Sequence, residues 1–262
     1  MDTCHKCGAD LREDAKFCSR CGMPVQRTVF CHQCGAELNA EDRFCYACGV
    51  SVQTTETNLK DFEMDHGVLK KYIGADTDVV IPDCVTSIGE RAFQNCQLTS
   101  VTIPDRVTSI GNYAFFSCSE LTSVNLPKGL REIGYHAFAE CSSLRHIDIP
   151  ENVVLKGSAF QSCVGLTCIA IPCGMTKIAG STFSGCTSLT CVSLADGITE
   201  IGNSAFYDCH ALTSINIPGS VTRIGDKAFF GCWQLNITVP DSVTSIEESA
   251  FSGCGHMNLP KK

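Results

Sequence analysis

The chain has no run of the roughly 18 apolar residues that a membrane-spanning helix needs. Its first residues, Met-Asp-Thr-Cys, lack the basic-then-apolar leader of a secreted protein. Neither end carries a lipidation motif. Basic charge is in short supply: 20 Lys+Arg stand against 28 Asp+Glu, for a formal net charge of −8. Tight nucleic-acid binding depends on Lys and Arg neutralising phosphates, so a nucleic-acid partner is disfavoured. Also missing are a phosphate-binding glycine loop, a nucleophile elbow and an H-E-x-x-H pair. The expectations are no membrane span, no enzymatic activity and, with 20 cysteines and no leader, a reducing, cytoplasmic setting.

What is present is periodic. Phe93, Phe115, Phe138, Phe160, Phe183, Phe206, Phe229 and Phe251 recur at gaps of 22 or 23 residues. Cys96, Cys118, Cys141, Cys163, Cys186, Cys209, Cys232 and Cys254 each follow three residues later. A period in this range marks a stacked repeat, in which one unit cannot bury its apolar residues alone but neighbours make a continuous core. The eight repeat cysteines are expected to be small buried hydrophobes.

Each unit opens with an L-x-x-L-x-L frame, as in Leu121/Val124/Leu126, Leu144/Ile147/Ile149 and Leu212/Ile215/Ile217. The last two apolar places lie on one side of a short strand. A proline without an N–H usually ends it (Pro104, Pro127, Pro150, Pro172, Pro218). A second apolar group such as Val107-Thr108-Ser109-Ile110-Gly111 follows, then Ala-Phe and Cys. Gly111, Gly134, Gly202 and Gly225 are expected where the chain turns. Three coils depart from the pattern and should be irregular. Asn152-Val153-Val154-Leu155-Lys156 is one residue short, with lysine read at the isoleucine place. Leu235-Asn236-Ile237-Thr238-Val239 has lost a residue, and Ala195 replaces the proline.

The consensus L-T-S-V-x-I-P-x-x-V-T-S-I-G-x-x-A-F-x-x-C resembles the BspA-like leucine-rich repeat family from about Val80 onward. The resemblance implies a solenoid of short strands and short helical turns, with binding and no chemistry. Many members are bacterial or protozoan surface proteins that bind host or matrix molecules, so a surface location is the second expectation beside the cytoplasmic one. The fold class expected is α/β, dominated by β: a leucine-rich repeat solenoid of about eight coils over residues 80–262. A capping hairpin is expected at 61–79 around the turn-prone Asp65-His66-Gly67, and a polar linker at 52–60.

Residues 1–51 differ. Cys4-x-x-Cys7, ten residues and Cys18-x-x-Cys21 are followed by Cys31-x-x-Cys34, ten residues and Cys45-x-x-Cys48. Two Cys-x-x-Cys knuckles supply four sulfurs, a donor set that suits tetrahedral zinc. The doubled spacing looks like a tandem zinc-ribbon module (1–24 and 28–51) holding two structural Zn2+ ions. A unit this small lacks an adequate apolar core, so metal binding supplies its folding energy. Iron has the same ligand set and stays open, and His5 and His32 are competing donors within the knuckles.

The expected function is a non-catalytic scaffold for a protein partner. The alternatives are a zinc-ribbon regulator contacting nucleic acid or a ribonucleoprotein, and a thiol or metal redox sensor. Candidate partner-binding residues are those that break the period. His146 and Asp148 share one strand face, as a proton-transfer pair or as polar filler. Cys168 and Cys191 occupy equivalent outward places on consecutive coils, as free thiols, a disulfide or a soft-metal contact. Phe230 and Trp233 form a partner patch or pack between neighbouring turns.

Overall fold

The computed structural model describes residues 59–259 and, ahead of them, two short strands, Val29–Phe30 and Glu37–Leu38. The chain divides into two compact units, Met1–Glu56 and Thr57–Lys262. In the first, Val29 lies opposite Leu38 and Phe30 opposite Glu37 in an antiparallel pair. The eight expected zinc ligands, and all of the 52–60 linker but its last two residues, lie outside the described residues.

The second unit is a β-solenoid in which a coil uses two short strands. The L-x-x-L-x-L frame supplies the first, as in Ser100–Thr102, Ser123–Asn125, Cys168–Ile171 and Cys191–Leu194. The V-T-S-I group supplies a second that the one-strand reading of each coil missed, as in Ser109–Ile110, Glu132–Ile133, Glu200–Ile201 and Arg223–Ile224. Strands of each kind pair in parallel, in register, with equivalents one coil away: Val101 with Val124, and Ile110 with Ile133. The repeated threonines add bonds along both ladders. Thr122 Oγ1 donates to the Thr99 carbonyl (2.9 Å) and Thr199 Oγ1 to the Thr176 carbonyl (3.0 Å).

The third side carries Ala-Phe-x-x-Cys on tight turns. No α-helix occurs among the described residues, and the expected helical turns take this form. Residues two before and two after each phenylalanine from Phe93 to Phe229 adopt left-handed backbone, such as Tyr113 (φ 57°), Ser117 (φ 55°), Ser158 (φ 59°) and Ser162 (φ 57°). Such a conformation costs about 1–2 kcal/mol per residue. The alternation turns the peptide groups along the stack, and the bonds they make offset that cost. Phe115 N–H donates to the Ala137 carbonyl (2.7 Å) and Phe138 N–H to that of Ala159 (2.8 Å).

Inside, the phenylalanine rings form one column. Neighbouring centroids lie 4.9–5.7 Å apart and the planes stay within 13° of parallel. Phe62–Asp65 and Val68–Tyr72 form an antiparallel hairpin that joins the second ladder, Leu69 opposite Ile88. The Tyr72 ring sits 5.3 Å from Phe93 and extends the column. The repeat cysteines from Cys118 to Cys232 are buried, Cys96 and Cys254 at the ends half-buried, and the buried ones are also bonded: Cys163 Sγ donates to the Phe138 carbonyl (3.0 Å) and Cys186 Sγ to that of Phe160 (3.2 Å). Each of these carbonyls also accepts its own coil's Cys N–H, as Phe138 does from Cys141 (3.3 Å). Cysteine fits because it is apolar enough to bury and keeps a weak donor.

The expected irregularities have physical causes. Gly89, Gly111, Gly134, Gly202 and Gly225 occupy one column along the stack, and the reason is close approach. A Cβ on Gly134 would lie 2.7 Å from the Asn112 nitrogen and from the Gly111 carbonyl carbon. In the short coil Leu155, opposite Ile133, fills the isoleucine place. Lys156 therefore stands in the glycine column, which corrects its assignment to the isoleucine place. Ala179 stands there in the next coil. Between these two coils the second ladder is interrupted: Leu155 pairs with Ile133 and Ile178 with Ile201, but not with each other. The first ladder is interrupted at His146–Asp148 and again before Asn236–Thr238. Ala195 does the opposite. Unlike the prolines it replaces, it has an N–H, which donates to the Ile171 carbonyl (3.1 Å) and prolongs the pairing.

Phe160→Ala should destabilise the second unit by about 3–5 kcal/mol in urea unfolding, and a near-zero cost would refute the column. Gly134→Ala should cost about 1–3 kcal/mol, because the methyl meets backbone that has no room to yield. A pH dependence follows from the thiols. Burial pushes Cys118 and Cys232 up to about 12 and Cys254 to about 11, and raises Cys163 as well. Unfolded thiols ionise near about 8.5. Above that pH the unfolded chain binds fewer protons than the folded one, so stability falls as pH rises. Stability should be flat in these groups from pH 6 to 8 and fall steeply from about 9 to 12. Cys163→Ala should give a shallower slope over the same range.

Candidate binding face

The first ladder turns its apolar residues inward and the residues between them outward. Ile169 and Ile171 are buried while Ala170 is exposed, and Val192 is buried between exposed Cys191 and Ser193. The exposed column runs through Thr102, Asn125, Asp148, Ala170, Ser193 and Asn216. At its first coil, hydrogen bonds from Ser100 (2.7 Å) and Thr99 (2.8 Å) hold the Asp78 carboxyl below the usual carboxylate range.

His146 and Asp148 meet on this face, Nε2 to Oδ1 2.9 Å, with both side chains exposed. They stand where the ladder is interrupted, so the pair occupies an irregular coil. A solvated pair of this kind contributes at most about 1 kcal/mol. Cys168 and Cys191 are directly opposite in register, Cys191 exposed and Cys168 half-buried.

The two aromatic candidates lie on the turn side. Phe230 is half-buried and stacks on Tyr207 of the preceding coil at 5.1 Å, with planes 5° apart. Trp233 stacks on His210 at 4.1 Å yet stays 62% exposed. Tyr113, Phe116 and His136 pack likewise, Tyr113 stacking on His136 at 4.8 Å. Tyr135 is 52% exposed.

One feature had no counterpart in the sequence reading. Where Lys156 and Ala179 interrupt the glycine column, an open groove of about 550 Å³ lies between Tyr135, Gly157, Lys177, Ala179, Asn203 and Arg223. On its margin Arg223 donates to Glu200 (2.6 Å) and Glu247 (3.3 Å). The only signal that could have found it is the double loss of the glycine. Among the described residues no three His, Cys, Asp or Glu side chains gather as a metal site. No described helix is long and apolar enough to cross a membrane.

The two parallel ladders, the inward phenylalanine column and the small polar outer face define a leucine-rich repeat solenoid. Residues 72–190 and 154–259 match the family model of the BspA type leucine rich repeat region, and residues 4–49 match that of the double zinc ribbon. The chain belongs to the BspA-type leucine-rich repeat family and carries a double zinc ribbon at its N-terminal end. Solved structures agree. A leucine rich cell surface protein from Faecalibacterium prausnitzii is 33% identical over 74% of this chain and 66% of its own, with a TM-score of 0.63. A leucine-rich repeat protein from Bacteroides ovatus is 29% identical over 71% of this chain and 58% of its own, with a TM-score of 0.53. The leucine-rich repeat protein of T. pallidum is 28% identical over 77% of this chain and 89% of its own, also with a TM-score of 0.53. The chain thus spans less than two thirds of the length of the first two. Among curated proteins no match was found.

The His146–Asp148 geometry allows a measurement. Asp148→Asn should change solenoid stability by less than about 0.5 kcal/mol, the range of surface substitutions. A larger loss in urea unfolding would mean that the pair braces the interrupted coil.

Proposed function

We propose that this chain is a non-catalytic scaffold that binds a protein partner through the outer face of its first ladder. The supporting observation is the contrast along that ladder. The inward places repeat Leu, Val and Ile at constant register, while the outward places change from coil to coil: Ser123/Asn125, His146/Asp148, Cys168/Ala170. Stacked repeats of this sort present extended surfaces, and side chains freed from packing can vary with the partner. His146 and Asp148 are the contact residues at the middle of the face. Phe230 and Trp233 form a second contact point on the turn side, where the exposed indole supplies the anchor that the small polar face lacks.

The N-terminal unit holds two structural Zn2+ ions in this reading, one on Cys4, Cys7, Cys18 and Cys21 and one on Cys31, Cys34, Cys45 and Cys48. The donor chemistry fits. Four thiolates complete a tetrahedral shell and leave no position for substrate. The ions supply folding energy to that unit. The free thiols of the solenoid suit a reducing compartment. A surface location is the second reading, favoured by the likeness to the cell surface protein of Faecalibacterium prausnitzii.

Purified protein should contain two zinc ions per chain. Cys18→Ser should lower that to one while the solenoid unfolding midpoint stays unchanged. In affinity capture followed by titration with the captured protein, a His146→Ala/Asp148→Ala double variant should bind at least about tenfold more weakly, the scale of a 1.4 kcal/mol contact. Unchanged binding would move the contact off the first ladder.

A further inference from the structure

Cys168 and Cys191 are the only cysteines placed opposite each other in a ladder of the described residues. Equivalent places elsewhere in the first ladder hold Asp78, Ser100, Ser123, Ser214 and Asn236. In-register strands keep their Cα atoms about 4.8 Å apart, inside the 4.4–6.8 Å range that a disulfide spans. Short side chains in such a position do reach each other. Ser87 Oγ and Ser109 Oγ, opposite in the second ladder, lie 2.8 Å apart. The seven repeat thiols from Cys118 to Cys254 are engaged with phenylalanine carbonyls one coil away. The outward pair has no such engagement, and Cys191 is exposed.

We propose that Cys168 and Cys191 are a site of reversible oxidation, a dithiol that closes to a disulfide joining two consecutive coils on the outer face of the first ladder. The oxidant is a small-molecule disulfide. One cysteine thiolate attacks a sulfur of the oxidant, the oxidant's S–S bond breaks, and one small thiol leaves. The second cysteine loses its proton and attacks the sulfur of the mixed disulfide, expelling the second small thiol. Two cysteine thiols are oxidised to one disulfide, and one small disulfide is reduced to two thiols.

The geometry also makes the bond reversible. Parallel in-register strands hold their Cβ atoms near the same spacing of about 4.8 Å, whereas a relaxed disulfide needs about 3.8 Å. Closure pulls two coils together locally, and strained, exposed disulfides of this type are the labile ones. The adjacent Cys168 side chain raises the Cys191 thiol above its ordinary range. Beyond the scaffold reading, this gives the face two chemical states, and it stands whether or not a protein binds there.

The test uses the zinc-loaded full chain, reduced and then exposed to oxidised glutathione at neutral pH. Free thiols are blocked before digestion and the peptides are mapped by mass spectrometry. The expected product loses two hydrogens and links Cys168 to Cys191, with fragment ions that place Cys163, Cys173 and Cys186 outside the link. Cys168→Ser and Cys191→Ser should each stop at a glutathione adduct on the remaining partner. Dithiothreitol should restore both thiols. Stable separate adducts on both cysteines of the unaltered chain, or two thiols that stay reduced while Cys173 and Cys84 react, would overturn the proposal.

Discussion

In-register stacking of coils at a spacing of about 4.8 Å is the constraint on which the rest of the solenoid depends. Two parallel ladders and the turn side are tied from coil to coil by backbone hydrogen bonds. A side chain at a given place therefore meets its own copy above and below. Glycine recurs where the backbone of the preceding coil comes within 2.7 Å of the missing Cβ. Phenylalanine recurs because a planar ring can stack on its copy almost without limit. The spacing also shows where the constraint loosens. The widest ring separation in the column, 5.7 Å, falls between Phe160 and Phe183, beside the second-ladder interruption at Lys156 and Ala179.

Cysteine plays two opposed parts in this frame. In the interior its thiol donates to a phenylalanine carbonyl that already accepts one backbone N–H, so both lone pairs of that oxygen are used. Serine would be costlier to bury, and alanine would leave a gap and lose the donor. Burial suppresses ionisation there, so these thiols are inert. On the outer face the same residue type is open to solvent. The register that places phenylalanine over phenylalanine places Cys168 beside Cys191. One geometric rule thus makes one set of thiols structural and the other pair a chemical feature of the surface.

Much of this was legible in the sequence. The 22- and 23-residue gaps, the L-x-x-L-x-L frame and the strand-ending prolines defined the coil and the inward residues, because every copy meets the same neighbours. The outward pairings of His146 with Asp148 and of Cys168 with Cys191 were also readable, since alternation along a strand and in-register stacking follow from the period. The second ladder was harder to see: a two-residue strand such as Ser109–Ile110 carries no alternation of its own. The group was read only as a second apolar group, although its threonine and isoleucine are there for the ladder. Phe230 and Trp233 stayed ambiguous because stacking on Tyr207 and His210 depends on which rotamers the turns permit.

By itself the sequence determined the repeat, its inward and outward faces and the doubled four-cysteine donor sets, since each is a matter of spacing and residue type. The tertiary structure alone decided what happens where the repeat fails. Lys156 and Ala179 are ordinary residues in the chain, but they stand on consecutive coils in a column that glycine fills in most others; between them the second ladder is interrupted, and a groove lies beside Tyr135 and Arg223. The physical reason is that a single Cβ is a local property, whereas the room available to it is set by a backbone some 22 residues away.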